Sequence, residues 1–311
     1  MLDQWVKSRA FGLALALGAG LSSNATAVEV NYKFIDVHSI KIFYREAGDP
    51  QKPTILLLHG FPSSSQMFRD LIPELDEHFH VLAPDYPGMG NSEAPPAEKF
   101  KASFDSVADV IEQFVQEMNV SSAILYMQDF GGPVGLRLAT RHPEWVRGIV
   151  IQNSPISLDG WEPSRLKAIQ DSTGPETPEK RAAAESRVVF ATDLFLHKHG
   201  AHDPATLNPD AWTNDAFALN NAESRRIMTD LQLDISSNLA LYPKWQDYLR
   251  THQPKTLVVW GDGDPIFVPR GADAIDDLVL HAEVRHYHAG HFALEEEHGD
   301  IARQIIRVFG E

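Results

Sequence analysis

In the hexapeptide Met127-Gln128-Asp129-Phe130-Gly131-Gly132 a lone carboxylate stands where a nucleophile would be expected. The segment follows the apolar run at 123–126 and precedes a helix-like stretch at 133–140, which puts Asp129 on a sharp strand-to-helix turn. In the nucleophile-elbow arrangement a serine sits on such a turn, exposed above a sheet beside a backbone N–H that meets developing negative charge. Here aspartate takes that place. A carboxylate is ionised at neutral pH without help and suits displacement at saturated carbon, whereas a hydroxyl needs a base and prefers carbonyls. The competing reading is an ordinary helix N-cap with glycines in a tight turn. Three further segments, in the right order, weigh against it.

Open parallel sheets bind ligands beyond the carboxyl ends of their strands, so the informative residues follow each apolar run. His59-Gly60-Phe61-Pro62 follows the run at 54–58, and Gly261-Asp262-Gly263-Asp264-Pro265 follows 256–260. Gly290-His291-Phe292 comes after the last strand expected, at 282–286. The order along the chain is nucleophile, acid, histidine. Asp262 and Asp264 both compete for the acid, and Asp264 before Pro265 also fits a turn. His291 follows a glycine on a loop, whereas His286 and His288 alternate on a strand and are expected to face solvent. Ser63, Ser64 and Ser65 do not occupy the elbow, which disfavours a serine esterase.

The elements needed to hold these residues are legible in the hydropathy pattern. Residues 31–35 and 40–46 predict a hairpin, and 54–58 a strand buried on both faces. Strands at 80–83, 123–127 and 146–152 then alternate with helices at 104–118 and 130–142. This alternation predicts an α/β chain with a mostly parallel sheet and flanking helices. Polar, helix-rich sequence with Asp203-Pro204 and Asn208-Pro209 turn signals reads as an inserted helical cap, after which strands resume and a helix at 292–309 closes the chain. The expected division is a signal peptide at 1–27, the first part of the sheet core at 28–155, cap at 156–250 and the second part of the core at 251–311.

A chain of 311 residues that is 43% hydrophobic and 23% charged can bury one large core. Its formal net charge of −16 argues against nucleic acid and anionic membrane surfaces, which would repel it. The absence of cysteine excludes disulfides, thiolate metal sites and a cysteine nucleophile. Lys7 and Arg9 precede an apolar stretch at 10–21, and Ala25-Thr26-Ala27 offers small residues where a signal peptidase reads. An exported protein, periplasmic or secreted, is therefore expected. No nucleotide cofactor is expected, since no phosphate-cradling glycine pattern occurs. The histidine pairs His78 with His80 and His286 with His288, and the cap trio His197, His199 and His202, lack the carboxylate spacing of a metal site.

Taken together, these motifs resemble the α/β-hydrolase superfamily, in its epoxide hydrolase and haloalkane dehalogenase branch, over essentially all of the chain after the leader. Asp85-Tyr86-Pro87-Gly88-Met89-Gly90-Asn91-Ser92 resembles that family's loop after the fourth strand. The resemblance implies Asp129 as nucleophile, His291 as base, Asp264 as the acid orienting it, and the amides of Phe61 and Phe130 as oxyanion donors. An ester on Asp129 would be hydrolysed by water that His291 deprotonates. The implied partners are water and a small apolar or weakly polar organic substrate, with no cofactor; oligomeric state is not implied.

Substrate choice depends on groups that receive the leaving group, and here the chain departs from both familiar patterns. Haloalkane dehalogenases usually place tryptophan after the nucleophile, and some place asparagine after the His-Gly pair; this chain has Phe130 and Phe61. Epoxide hydrolases resemble it in His59-Gly60-Phe61-Pro62 and Asp129-Phe130-Gly131-Gly132, but use cap tyrosines within a Tyr-Arg-x-Asn stretch that reads Ile235-Ser236-Ser237-Asn238 here. Tyr242 is the nearest replacement. His59, Trp161, Trp212 and Tyr242 are the substrate-binding candidates. Epoxide opening leads, a haloalkane dehalogenase is the alternative, and a non-catalytic binding relative or an esterase follows.

Overall fold

Continuous apolar runs in the sequence become the strands at the centre of one eight-stranded sheet. The computed structural model describes residues 29–192 and 194–310; the leader expected over 1–27 lies outside the described residues. The chain begins with β1 (Asn31–Val37) and β2 (Ile40–Ala47), an antiparallel hairpin. It continues through β3 (Thr54–Leu58), a short α1 (Ile72–Leu75), β4 (His80–Pro84), α2 (Phe104–Glu117), β5 (Ala123–Gln128), α3 (Gly131–Arg141) and β6 (Val146–Gln152). Five helices follow among the described residues: α4 (Pro163–Asp171), α5 (Pro178–Thr192), α6 (Phe195–Lys198), α7 (Asp210–Ala218) and α8 (Ala222–His252). The sheet then resumes with β7 (Thr256–Gly261), α9 (Arg270–Asp276), β8 (Glu283–Tyr287) and α10 (Leu294–Phe309).

Strand order is β1-β2-β4-β3-β5-β6-β7-β8, with β1, β2 and β4 joined antiparallel and every later neighbour parallel. Every residue of β3, β4, β5 and β7 is buried, as helices on both faces require of central parallel strands. The edge strand β1 leaves Tyr32 and Phe34 exposed. The predicted and observed elements differ mainly at their ends. The last helix starts at Leu294 and not at 292, because Phe292 belongs to the loop that carries His291.

The long helix α8 ties the inserted helices to the core. Its first turn is capped by the Asn221 side chain, which accepts from the amides of Glu223 and Ser224. Asp234 on α8 accepts the Phe104 amide at the start of α2 at 2.8 Å, and Arg137 on α3 donates to Asn238 of α8 at 2.8 Å. Trp245, fully buried on α8, packs in the main core beneath the Arg137 guanidinium. Trp245→Ala is expected to cost about 3–5 kcal/mol of stability through the cavity it leaves. Denaturant unfolding followed by circular dichroism reads this, and a loss under about 1 kcal/mol would show that α8 is not held by the core.

Candidate active site

The candidate site lies above the carboxyl ends of β3, β5, β6 and β7. Asp129 ends β5 and takes a positive φ of 47°, a strained conformation for a residue with a side chain, enforced by its surroundings. A side chain at Gly131 would meet the Leu58 carbonyl at 2.1 Å, so only glycine lets α3 start this close to β3. Ser154 donates from Oγ to the Asp129 carbonyl at 2.9 Å and braces the turn from the β6 side.

The Asp129 carboxylate is held by the two backbone amides named from the sequence. Phe61 N–H donates to Oδ1 at 2.7 Å, and Phe130 N–H also hydrogen-bonds the carboxylate. The second oxygen, Oδ2, lies 3.9 Å from His291 Nε2. Burial pushes the Asp129 pKa up from the usual carboxylate value; His291 and the two amides pull it back without cancelling the rise.

His291 is fully buried, and its Nδ1 lies 2.8 Å from Asp264 Oδ2. The carboxylate only accepts, so Nδ1 carries the proton and Nε2 turns a lone pair toward Asp129. Burial works to lower the His291 pKa, but the charge and hydrogen bond of Asp264, with the charge of Asp129, outweigh it and the net shift is upward. Asp264 is satisfied on every side: Ile266 and Phe267 amides donate to Oδ1 at 2.7 and 3.1 Å, and Asn153 Nδ2 donates to Oδ2 at 2.9 Å. Asp262, the competing acid, instead sits near the surface, 2.7 Å from His286 Nδ1.

Two polar neighbours were missed from sequence. Asn153 follows β6 and joins the Gly261 backbone to Asp264, accepting the Gly261 amide at 2.9 Å while donating to the acid. Gln128 Nε2 lies 3.1 Å from His291 Nε2, and its buried Oε1 has no partner among the described residues. That oxygen faces Gly60, where an added Cβ would come within 2.0 Å of it.

Asp129 and His291 open into a cavity of about 120 Å³, also lined by Phe61, Phe130, Trp161, Phe267 and residues of α4, α5 and α8. A single water needs about 10–15 Å³ on this measure, so the space suits a small organic molecule. Trp161 and Tyr242 both line it, and Trp161 Nε1–H donates to the Tyr242 hydroxyl at 2.8 Å.

Two substrate-binding candidates are corrected by the geometry. His59 is buried behind the site, stacked on Tyr86 at 4.0 Å, with Nδ1 on the Gly60 carbonyl and Nε2 accepting the Tyr86 amide. Both ring nitrogens are occupied, so it braces the loop that carries Phe61 and does not reach the cavity. Trp212 is half-buried on α7 with Lys198 Nζ over its ring at 4.6 Å, and it is absent from the cavity wall. The cap histidines each pack against a neighbour. His197 Nε2 lies 3.1 Å from Asp215, His199 stacks on Phe195, and His202 packs against His288.

Known proteins share this architecture. The α/β hydrolase fold family matches residues 53–298. The chain is 38% identical over 283 residues to an uncharacterized hydrolase of Saccharomyces cerevisiae, covering 88% of this chain and 94% of the yeast protein. It is 30% identical over 285 residues to haloalkane dehalogenase 2 of Mycobacterium tuberculosis, covering 89% and 94% of the two chains. The crystal structure of haloalkane dehalogenase DbeA from Bradyrhizobium elkani superposes with a TM-score of 0.74 at 21% identity, over 89% of this chain and 96% of that one. The chain therefore belongs to the α/β hydrolase fold family, as a hydrolase in the branch that holds the haloalkane dehalogenases and epoxide hydrolases.

Proposed function

We propose that this hydrolase opens epoxides through an ester on Asp129. The observation that carries the reading is Tyr242. Its oxygen accepts from Trp161, and among the described residues its own O–H has no acceptor, so the proton is free to point into the cavity. Burial raises its pKa above that of an ordinary phenol while the Trp161 hydrogen bond pulls the other way, so the group keeps its proton at neutral pH. It remains a stronger acid than the alcohol formed on an opened ring.

The geometry supports the following steps. Asp129 Oδ2 attacks an epoxide carbon, the C–O bond breaks, and the Tyr242 proton goes to the departing oxygen. Oδ1, under the Phe61 amide and with the Phe130 amide also on the carboxylate, becomes the ester carbonyl. His291 Nε2 then takes a proton from water, and the resulting hydroxide attacks that carbonyl. The two amides stabilise the oxyanion, an interaction for which one donor is typically worth about 3–4 kcal/mol. Collapse restores Asp129, the diol leaves, and the proton on His291 returns to Tyr242 through solvent. The sum is epoxide plus water to diol.

Likeness to a haloalkane dehalogenase at 30% identity favours a second reading, halide displacement by the same Asp129. Against it, the side chains at Phe61 and Phe130 cannot donate to a halide, and the Trp161 N–H is already given to Tyr242. Tyr242→Phe separates the two. Epoxide turnover is expected to fall by about 10²-fold or more with loss of the acid, while any bromoalkane turnover, whose leaving group needs no proton, holds within a few-fold. Equal rates on a terminal epoxide for the variant and the parent would remove Tyr242 from the chemistry.

A further inference from the structure

The wall of the cavity carries a feature that neither water nor a plain apolar epoxide calls for. Arg187 on α5 and Arg165 on α4 both line it, beside the neutral Gln232 and Asn238 of α8. Arg187 is half-buried, and its hydrogen bond among the described residues is from Nε to Gln232 Oε1 at 3.2 Å. Gln232 cannot neutralise it. Arg165 lies over the Phe195 ring at 5.5 Å. A half-buried guanidinium of this kind is costly unless something anionic shares its space. Burial first and the nearby Arg165 charge second lower the Arg187 pKa, both of which a bound anion would offset.

We infer that the natural substrate is an epoxide bearing a carboxylate, which Arg187 binds while Asp129 meets the ring in the same cavity. The inference rests on the epoxide reading for the reactive end and on Arg187 alone for the anionic end. It is specific to this chain's charge pattern. With a formal net charge of −16, the protein as a whole repels anions, so a carboxylate enters only where local positive charge compensates. Arg187 is approached through a planar fork that matches a carboxylate in two hydrogen bonds, and these also fix which epoxide carbon faces Asp129.

Two measurements on the intact protein test the two ends separately. Calorimetric binding of an unreactive saturated arylalkyl carboxylate and of its matched primary amide reads the arginines without any chemistry. The carboxylate is expected to bind about tenfold tighter or more, as hydrogen bonds to charged groups typically allow. Arg187→Met should erase that preference and leave amide binding in place, Arg187→Lys should keep part of it, and thermal melts establish that both variants fold. Equal affinity for the two ligands in the parent, or an unchanged preference in folded Arg187→Met, overturns the inference. Turnover of an ω-epoxy carboxylate against its methyl ester then reads the reactive end. A carboxylate preference in binding with neither epoxide opened preserves the arginine assignment and sinks the epoxide reading. Faster opening of the ester than of the acid by the parent overturns the carboxylate assignment.

Discussion

Replacing His291 with glutamine is expected to arrest the reaction as a covalent ester on Asp129. Attack by Asp129 needs an ionised Oδ2 and a leaving group; His291 favours that ionisation, but so do the Phe61 and Phe130 amides, which remain in the variant. Ester hydrolysis needs a base for the water, and His291 Nε2, 3.9 Å from Oδ2, is the nearest such group described. Loss of a positioned general base typically lowers the step by about 10²- to 10⁴-fold, enough for the ester to accumulate. Intact-mass spectrometry of the variant with a terminal epoxide and, separately, a bromoalkane reads the outcome. An epoxide adds its whole mass, since nothing departs, whereas a bromoalkane adds its mass less hydrogen bromide. Peptide mapping should locate either adduct at Asp129. A folded variant that forms no adduct with any member of a modest panel, or that turns over like the parent, ends the ester mechanism.

Asp264→Asn should give the second large effect, with a signature that simple disruption does not share. The carboxylate fixes the proton on His291 Nδ1, and asparagine can offer its own N–H there and turn the lone pair the wrong way. Elsewhere such a loss has cost about 10⁴-fold, and a fall of about 10³- to 10⁴-fold in kcat is expected here. The pH profile carries the further sign. In the parent, His291 is held above its ordinary value of 6.5, so the base form that hydrolysis requires is lost as pH falls through a point above 6.5. Removing Asp264 deletes the largest influence that raises this pKa and leaves the burial that lowers it. The acid limb should therefore move to lower pH even as the plateau drops. A limb that stays in place, or moves up, would mean that Asp264 does not set the charge on His291.

Much of this arrangement could be read before the structure, for a physical reason. Central strands are buried on both faces, so they appear as unbroken apolar runs, and the residue after each run sits at the sheet's ligand-binding edge. That rule reached Asp129 after β5, the competing Asp262 and Asp264 after β7 and His291 after β8, with the family resemblance choosing Asp264. It was silent on side-chain direction. His59 follows β3 as Asp129 follows β5, yet it turns back to Tyr86, and the loop's contribution to the site is the Phe61 amide. Asn153 obeys the same rule after β6, but an amide at a strand end reads as a turn residue, and its φ of 41° does make a turn. Arg165 and Arg187 could not be singled out, because a charge on a polar cap helix looks like solvent-facing surface until the helices are placed over the cavity. Trp212 shows the converse error: a large aromatic in the cap suggests a ligand contact, but α7 turns it to Lys198.

The separation between Asp129 and His291 also bears on timing. When His291 takes up a second proton, on Nε2, each charge supports the other: the Asp129 carboxylate helps His291 retain that proton, and the proton helps keep the buried carboxylate ionised. In the mechanism proposed above, ester formation erases the negative member of the pair. His291 then loses one of its reasons to stay protonated while its burial is unchanged, and its affinity for protons falls just as water must be deprotonated. Charge neutralisation in the first half-reaction would thus prepare the base for the second, with no part of the protein needing to move.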